Sequence, residues 1–270
     1  MHWRLLGHDL GVYAAGLCAY AMCLFILAPA TLLDAGLQRA SNGRLRLAEA
    51  RGSLWSGTGQ FEIRDATGRS GVSRDLAWHF QPQSLLHGRL GFAVDLGQAA
   101  KRFSLNISPW GLEIADADFV FPAAALGLVL PRLALLEPTG DLLVHMPKIS
   151  FAHDEMRGNV LVEWRNAGST LTPVSPLGDY ELRLAGEADG LNASLRTIRG
   201  PLHLDGKGSR GKSGPPVFFA TARIEAQYER QLAPFLRLIA IERGDGSFEL
   251  QLNQNIGRIP GSAIRQLQTE

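Results

Sequence analysis

Four residues within "DGKGSRGKSGPP", residues 205–216, could do chemistry as a set. Gly206, Gly211, Lys212 and Ser213 satisfy G-x-x-x-x-G-K-[ST], the spacing at which backbone amides and a lysine cradle nucleotide phosphates. Gly206, Gly208 and Gly211 also satisfy G-x-G-x-x-G. Either loop works only when it opens a helix, whose free N-terminal amides and dipole hold the phosphates. The residues after Ser213, "GPPVFFATARIEAQY", instead read as a turn feeding a strand, and "LRTIRGPLHLDG" before it reads as another strand. No run of four apolar residues ending in a carboxylate supplies a magnesium-binding aspartate. The stretch is expected to be a glycine-rich, basic hairpin connection that binds no nucleotide, with Gly211 costly to replace only if the turn holds it at positive φ.

The other chemically capable residues converge no better. Trp55, Trp78, Trp110 and Trp164 could form a ligand platform, but tryptophans on half-buried strands are expected in the core. His79, His87, His145, His153 and His203 show no H-x-x-x-H or H-E-x-x-H spacing for zinc. Asp116 and Asp118 should face one side of a strand, yet calcium would need further carboxylates that the neighbourhood lacks. There is no G-x-S-x-G and no serine with an identifiable base. Cys18 and Cys23 both lie in an apolar run, so the rest of the chain can hold neither a disulfide nor a thiolate site. The expectation is a non-enzyme with no catalytic, cofactor-binding or metal-ligating residues. Lys plus Arg (27) balance Asp plus Glu (26), which argues against nucleic acid as a partner.

The elements that would position these residues are mostly strands. From Arg44 onward "RLRLAEA", "GQFEIRD", "DLAWHFQ", "NVLVEWRN", "DYELRLAG" and "GSFELQLN" alternate apolar with polar, the pattern of an antiparallel sheet with one buried face. Thirty glycines and fourteen prolines, spread along the chain, supply its turns. Two segments, Pro122–Leu136 and Glu229–Ile241, have apolar residues nearer helical spacing and should be short helices covering the sheet. The fold class is therefore mainly β: a single N-terminal transmembrane helix followed by an extended, curved antiparallel sheet with two short covering helices. Its expected organisation is a cytoplasmic stub and anchor at 1–33, a β domain at 34–252 with a weak internal repeat, and a flexible tail at 253–270.

The anchor is read from Leu10–Leu33, 24 residues without a charge between Asp9 and Asp34. As a helix they would rise about 36 Å, enough to span a bilayer. A cleaved signal peptide is the rival, since Ala28-Pro29-Ala30 resembles a cleavage site. The run is long for that and continues past the site, which favours a retained anchor. Charge is unhelpful for export: Arg4 precedes the run, whereas Arg39, Arg44, Arg46 and Arg51 follow it, although long domains translocate largely regardless.

The repeat aligns "EARGSLWSGTGQFEI" and "DLAWHFQPQSLLHGRLGFAVDLG" with "LEPTGDLLVHMPKISF" and "VLVEWRNAGSTLTPVSPLGDYELRLAG". Gly52 to Trp78 is 26 residues, Gly140 to Trp164 is 24, and a third G-x-L start occurs at Gly200. Such repetition suggests a meander that grows hairpin by hairpin. With the apolar run in front, "GSLWSGTG", "LAWHFQPQSLLHGRL", "VEWRNAGSTLTPVSPLGDYELRLAG" and "RGPLHLDGKG" resemble the protein N family of the bacterial type II secretion system. The resemblance runs from the anchor to about Leu252. It implies a single-pass inner-membrane protein of a Gram-negative bacterium with its β domain in the periplasm. It also implies an accessory role in moving folded proteins across the outer membrane, through contacts with other inner-membrane platform subunits and the secretin. The alternative is a periplasmic lipid-binding or lipid-transfer module, in which the apolar sheet face stays open as a groove for acyl chains.

Overall fold

Alternation along the chain becomes one continuous sheet. The computed structural model describes residues 5–64, 71–97, 101–129, 131–152, 155–187, 189–211 and 214–251. Two helices lead, α1 (Leu5–Ile26) and α2 (Thr31–Ala40). The first six strands are β1 (Leu45–Gly52), β2 (Ser56–Arg64), β3 (Gly71–Gln81), β4 (Leu90–Asp95), β5 (Phe103–Ser108) and β6 (Gly111–Pro122). Short helices α3 (Leu126–Val129) and α4 (Pro131–Ala134) precede β7 (Pro138–Ala152), β8 (Glu155–Ser169), β9 (Gly178–Glu187), β10 (Gly190–Arg199), β11 (Leu202–Gly211) and β12 (Val217–Ile224). Helix α5 (Glu229–Arg237), β13 (Ile241–Glu242) and β14 (Phe248–Gln251) complete the described chain. Strands pair antiparallel in chain order, except that β14 lies between β12 and β13.

Because paired residues in an antiparallel sheet point to one side, the register sorts the two faces. Phe80, Phe92, Leu105, Ile114 and Ile149 are aligned across β3 to β7, and Val144, Val162, Leu182 and Leu195 across β7 to β10. On the other side Glu163, Glu181, Arg196, Asp205 and Thr221 form one row across β8 to β12. One face is thus mainly apolar, with Arg74 on it opposite Phe61, and the other carries the charged rows together with Leu143 and Leu161.

The apolar face is sealed hardest at its two ends. At the first end Leu47, Trp78, Phe92 and Val94 are buried under Ala30, with Leu33 and Leu37 of α2 packed against them. At the other, Leu202, Ala222 and Phe248 are buried under Val174, Leu177 and the α5 residues Leu232, Phe235 and Leu236. Helix α5 presents those three at i, i+3 and i+4 spacing, so its packing tolerates Pro234 in the helix interior. The segment expected as the other covering helix is a 3-10 turn at Ala123–Ala125 followed by α3 and α4, and Leu136 after them packs on the second cluster. Helix α2 was not expected. Its signal is the pair Leu33 and Leu37, one turn apart, which straddles the end of the uncharged run at Asp34.

That run is not one helix. Helix α1 stops at Ile26, Pro29 makes an isolated bridge to Ser53, and α2 begins at Thr31. Pro29 disfavours helical geometry at Ala28, and the freed backbone groups are taken up by the first hairpin. The Ala30 amide donates to the Gly52 carbonyl at 3.2 Å and the Leu54 amide to the Ala28 carbonyl at 2.8 Å. Among the described residues no helix is long and apolar enough to cross a membrane. The expected tail at 253–270 lies outside the described residues.

Open sheets expose unpaired edge groups. Here the outward amides of β1 are capped by α2 and the turn after it: Leu47 donates to Asp34 Oδ1 and Leu45 to Ser41 Oγ, each at 2.8 Å. Burial opposes ionisation of Asp34, but bonds from Gln38 and the Leu47 amide outweigh it and hold the carboxyl below its usual range.

Candidate functional site

Gly206, Gly208 and Gly211 of the glycine-rich stretch fall on β11, Lys212 and Ser213 lie outside the described residues, and the element that follows, β12, is a strand rather than a helix. The ring of Phe218 explains two glycines of the stretch, Gly206 and Gly208: a Cβ on Gly206 would lie 2.9 Å from that ring and 2.9 Å from the Ala220 methyl. Gly211 is not at positive φ and a Cβ there meets nothing within 4 Å. The order of sensitivity therefore differs from a phosphate loop's. Gly206→Ala is expected to cost about 1–3 kcal/mol through overpacking, and Gly211→Ala almost nothing. Thermal melts of the two variants check this; equal losses would contradict it.

The remaining candidates scatter. Among the described residues no group of three or more His, Cys, Asp and Glu side chains could hold a metal. His79 Nδ1 lies 3.4 Å from Ser56 Oγ and His203 Nε2 lies 3.5 Å from Glu225, while His153 lies outside the described residues. Asp116 has φ 59° and interrupts the regular alternation of β6 on which a shared side for Asp116 and Asp118 was expected. Asp118 pairs instead with His145 on β7 and, at 3.3 Å, with Lys101. The bond from His145 and, more weakly, Lys101 hold Asp118 below the usual carboxylate range, against some burial. These side chains line an open depression of about 440 Å³ on the ionic face, with Leu161, Glu163 and Arg165. Its charged lining groups are ion pairs already matched to each other, set among apolar Val120, Leu143 and Leu161, so no unpaired charge converges in it.

The same face carries the protein's main charge array. Glu163 and Glu181 are directly opposed, and arginines offset the repulsion: Arg183 and Arg196 reach Glu181 at 2.6 and 2.7 Å, Arg165 reaches Glu163 at 2.8 Å. The Arg196 bonds hold buried Glu181 below the usual range, against its burial, with Arg183 adding to them. A carboxylate lowered on folding stabilises the fold above its unfolded pKa, and that contribution disappears as pH falls through the depressed folded value. Thermal stability should therefore fall as pH drops below about 4. Glu181→Gln should lower stability at neutral pH and flatten this acid limb; an unchanged acid limb would show that Glu181 contributes little.

Three tryptophans are structural fixtures, as expected of core residues. Buried Trp78 donates its indole N–H to the carbonyls of Ser53 and Leu54, each at 3.2 Å. Trp164 donates to Thr139 at 2.9 Å, the same distance along the chain as Trp78 to Ser53, and Gly52 and Gly140 have φ of 98° and 97°. Each copy of the repeat thus sets a positive-φ glycine beside a carbonyl that a tryptophan holds, although Gly52 ends β1 before a turn whereas Gly140 lies at a register shift within β7. Trp55 donates to the Phe25 carbonyl of α1 at 3.0 Å and stacks edge-on with Phe25 and Phe80, with centroids 4.7 and 5.1 Å apart. Trp110 departs from the expectation. It occupies the tip of the β5–β6 hairpin, 73% exposed.

The junction of α1 with the first hairpin is consequently the most specific construction in the molecule. An apolar helix, exposed at Leu17, Tyr20, Leu24 and Ile26, is fastened to the first turn of a large sheet by an aromatic cluster and by backbone bonds of Ala28 and Ala30 just after it. These features define a class: a curved single-sheet meander with an apolar N-terminal helix built into its first turn, and no assembled reaction centre among the described residues. The chain belongs to the type II secretion system protein N family, whose model matches residues 43–251. It is therefore a component of a type II secretion system. No curated protein and no solved structure matches the chain.

Proposed function

We propose that the protein is a non-enzymatic assembly subunit of the secretion system, anchored once in the inner membrane by α1, with its sheet in the periplasm touching other platform subunits and the secretin. The observation that carries this reading is the fastening of α1 to the sheet through Trp55, Leu54 and Ala30, which ties helix and sheet together locally. The 17 residues Leu10–Ile26 carry no charge, at the short end of what spans a bilayer, and a short span is met by local thinning of the lipid. No cofactor, metal, nucleotide or nucleic acid enters the role. The lipid-groove alternative is disfavoured, since α2 and α5 lie over the two ends of the apolar face and the depressions lined by Asp118, His145 and Arg183 open on the ionic one.

Photo-crosslinking in intact cells tests the reading, with probes on the sheet and partners identified by mass. Platform subunits or the secretin should be captured, and deletion of the protein should lower export of folded substrates. Capture of neither together with unimpaired export would refute it. Stoichiometric lipid in the purified protein, bound to the apolar face, would revive the groove.

A further inference from the structure

The register brings the ends of alternate connections to one margin of the sheet. Ser56 pairs with His79, Gln81 with Gly91, Leu90 with Ile107 and Ser108 with Gly111. The turn carrying Trp55, the 3-10 segment Pro82–His87 and the hairpin tip carrying Trp110 therefore lie along the margin where α1 joins the sheet. This margin is apolar where turns are ordinarily polar. Leu86 is 87% exposed, Leu85 and Trp110 are exposed beside it, and Leu27 is exposed at the end of α1.

We infer that this margin, through Leu85, Leu86 and Trp110, rests on the phospholipid surface beside α1. The inference rests on α1 being the membrane anchor. Only Leu27–Ala30 separate α1 from α2, and Ala30 is bonded to Gly52, so no linker could lift the margin away from the point where the helix enters lipid. The side chains fit that occupant: a leucine pair to insert, a tryptophan suited to the headgroup level, and exposed Arg51 and His87 able to meet phosphates. A protein docking by strand addition would need an open strand edge, and these are connection tips. Sheet twist of about 20–25° per strand turns later connections away, so the contact is confined to β1–β6.

The full chain, with Cys18 and Cys23 replaced by serine, tests this in nanodiscs of phosphatidylethanolamine and phosphatidylglycerol containing doxyl-labelled lipid. A fluorophore is placed singly through Leu86→Cys, Trp110→Cys, Leu17→Cys or Leu238→Cys, all at exposed positions; Leu238 lies near the opposite margin, after α5. Lipid-borne doxyl should quench the label at 86 and 110 but not at 238, and aqueous iodide should do the reverse. Quenching by lipid at 17 with iodide access at 86 and 110 would overturn the margin contact and leave the anchor standing. Quenching at 86 and 110 without quenching at 17 would support the contact and overturn the anchor. Iodide access at all four positions would sink both.

Discussion

Trp78→Ala is expected to cost about 3–5 kcal/mol, the largest loss for any single tryptophan in the chain. Trp78 is 6% exposed at the centre of the first cluster, where Leu47, Phe92, Val94 and Ala30 close around it. Its indole N–H also holds the carbonyls of Ser53 and Leu54, the turn that grips α1 through Trp55 and the Ala28 carbonyl. Truncation would leave a cavity and two partly buried carbonyls short of a donor. Trp78→Phe separates the terms: it keeps most of the volume and loses the bonds, so its cost should be nearer 1–2 kcal/mol, about what unsatisfied groups cost. Equilibrium unfolding of both variants measures this. Equal losses would assign the effect to hydrogen bonding rather than packing.

The same residue shows what was legible in sequence. The alternation around Trp78 gave the strand and its buried face, because a period of two is a local property that survives into the sheet unchanged. The glycine of each G-x-L start was visible as a repeat, and the structure puts all three at positive φ, 98° at Gly52, 97° at Gly140 and 124° at Gly200. Three things were hidden, each because it depends on distant contacts. Pro29 could be read as part of a cleavage site, but its role, handing Ala28 and Ala30 to the first hairpin, needs Gly52 and Leu54 beside it. Trp110 looked like any strand tryptophan, and its place at a tip follows from where β5 and β6 turn. Phe218 crowds Gly206 only once β12 has paired with β11, so that one glycine of the phosphate-loop pattern has a packing reason that no local reading could supply.

Leu232→Ala should produce a loss of similar class at the opposite end, about 2–5 kcal/mol, because Leu232 is fully buried between α5 and the last strands. The more informative result is where the loss appears. The two buried clusters share no residue, and between them the sheet is held by neighbour-to-neighbour pairing, as in a repeat array. Stability in such an array is built from local terms, and each end can open without the other. Hydrogen exchange of Leu232→Ala should therefore show lost protection in β11, β12, β14 and α5, with β1–β4 protected as in the parent. Trp78→Ala should show the converse. Each variant opening the whole sheet together would mean that the ionic row across β8–β12 couples the ends into one cooperative unit, and in that case Glu181→Gln should restore independent opening.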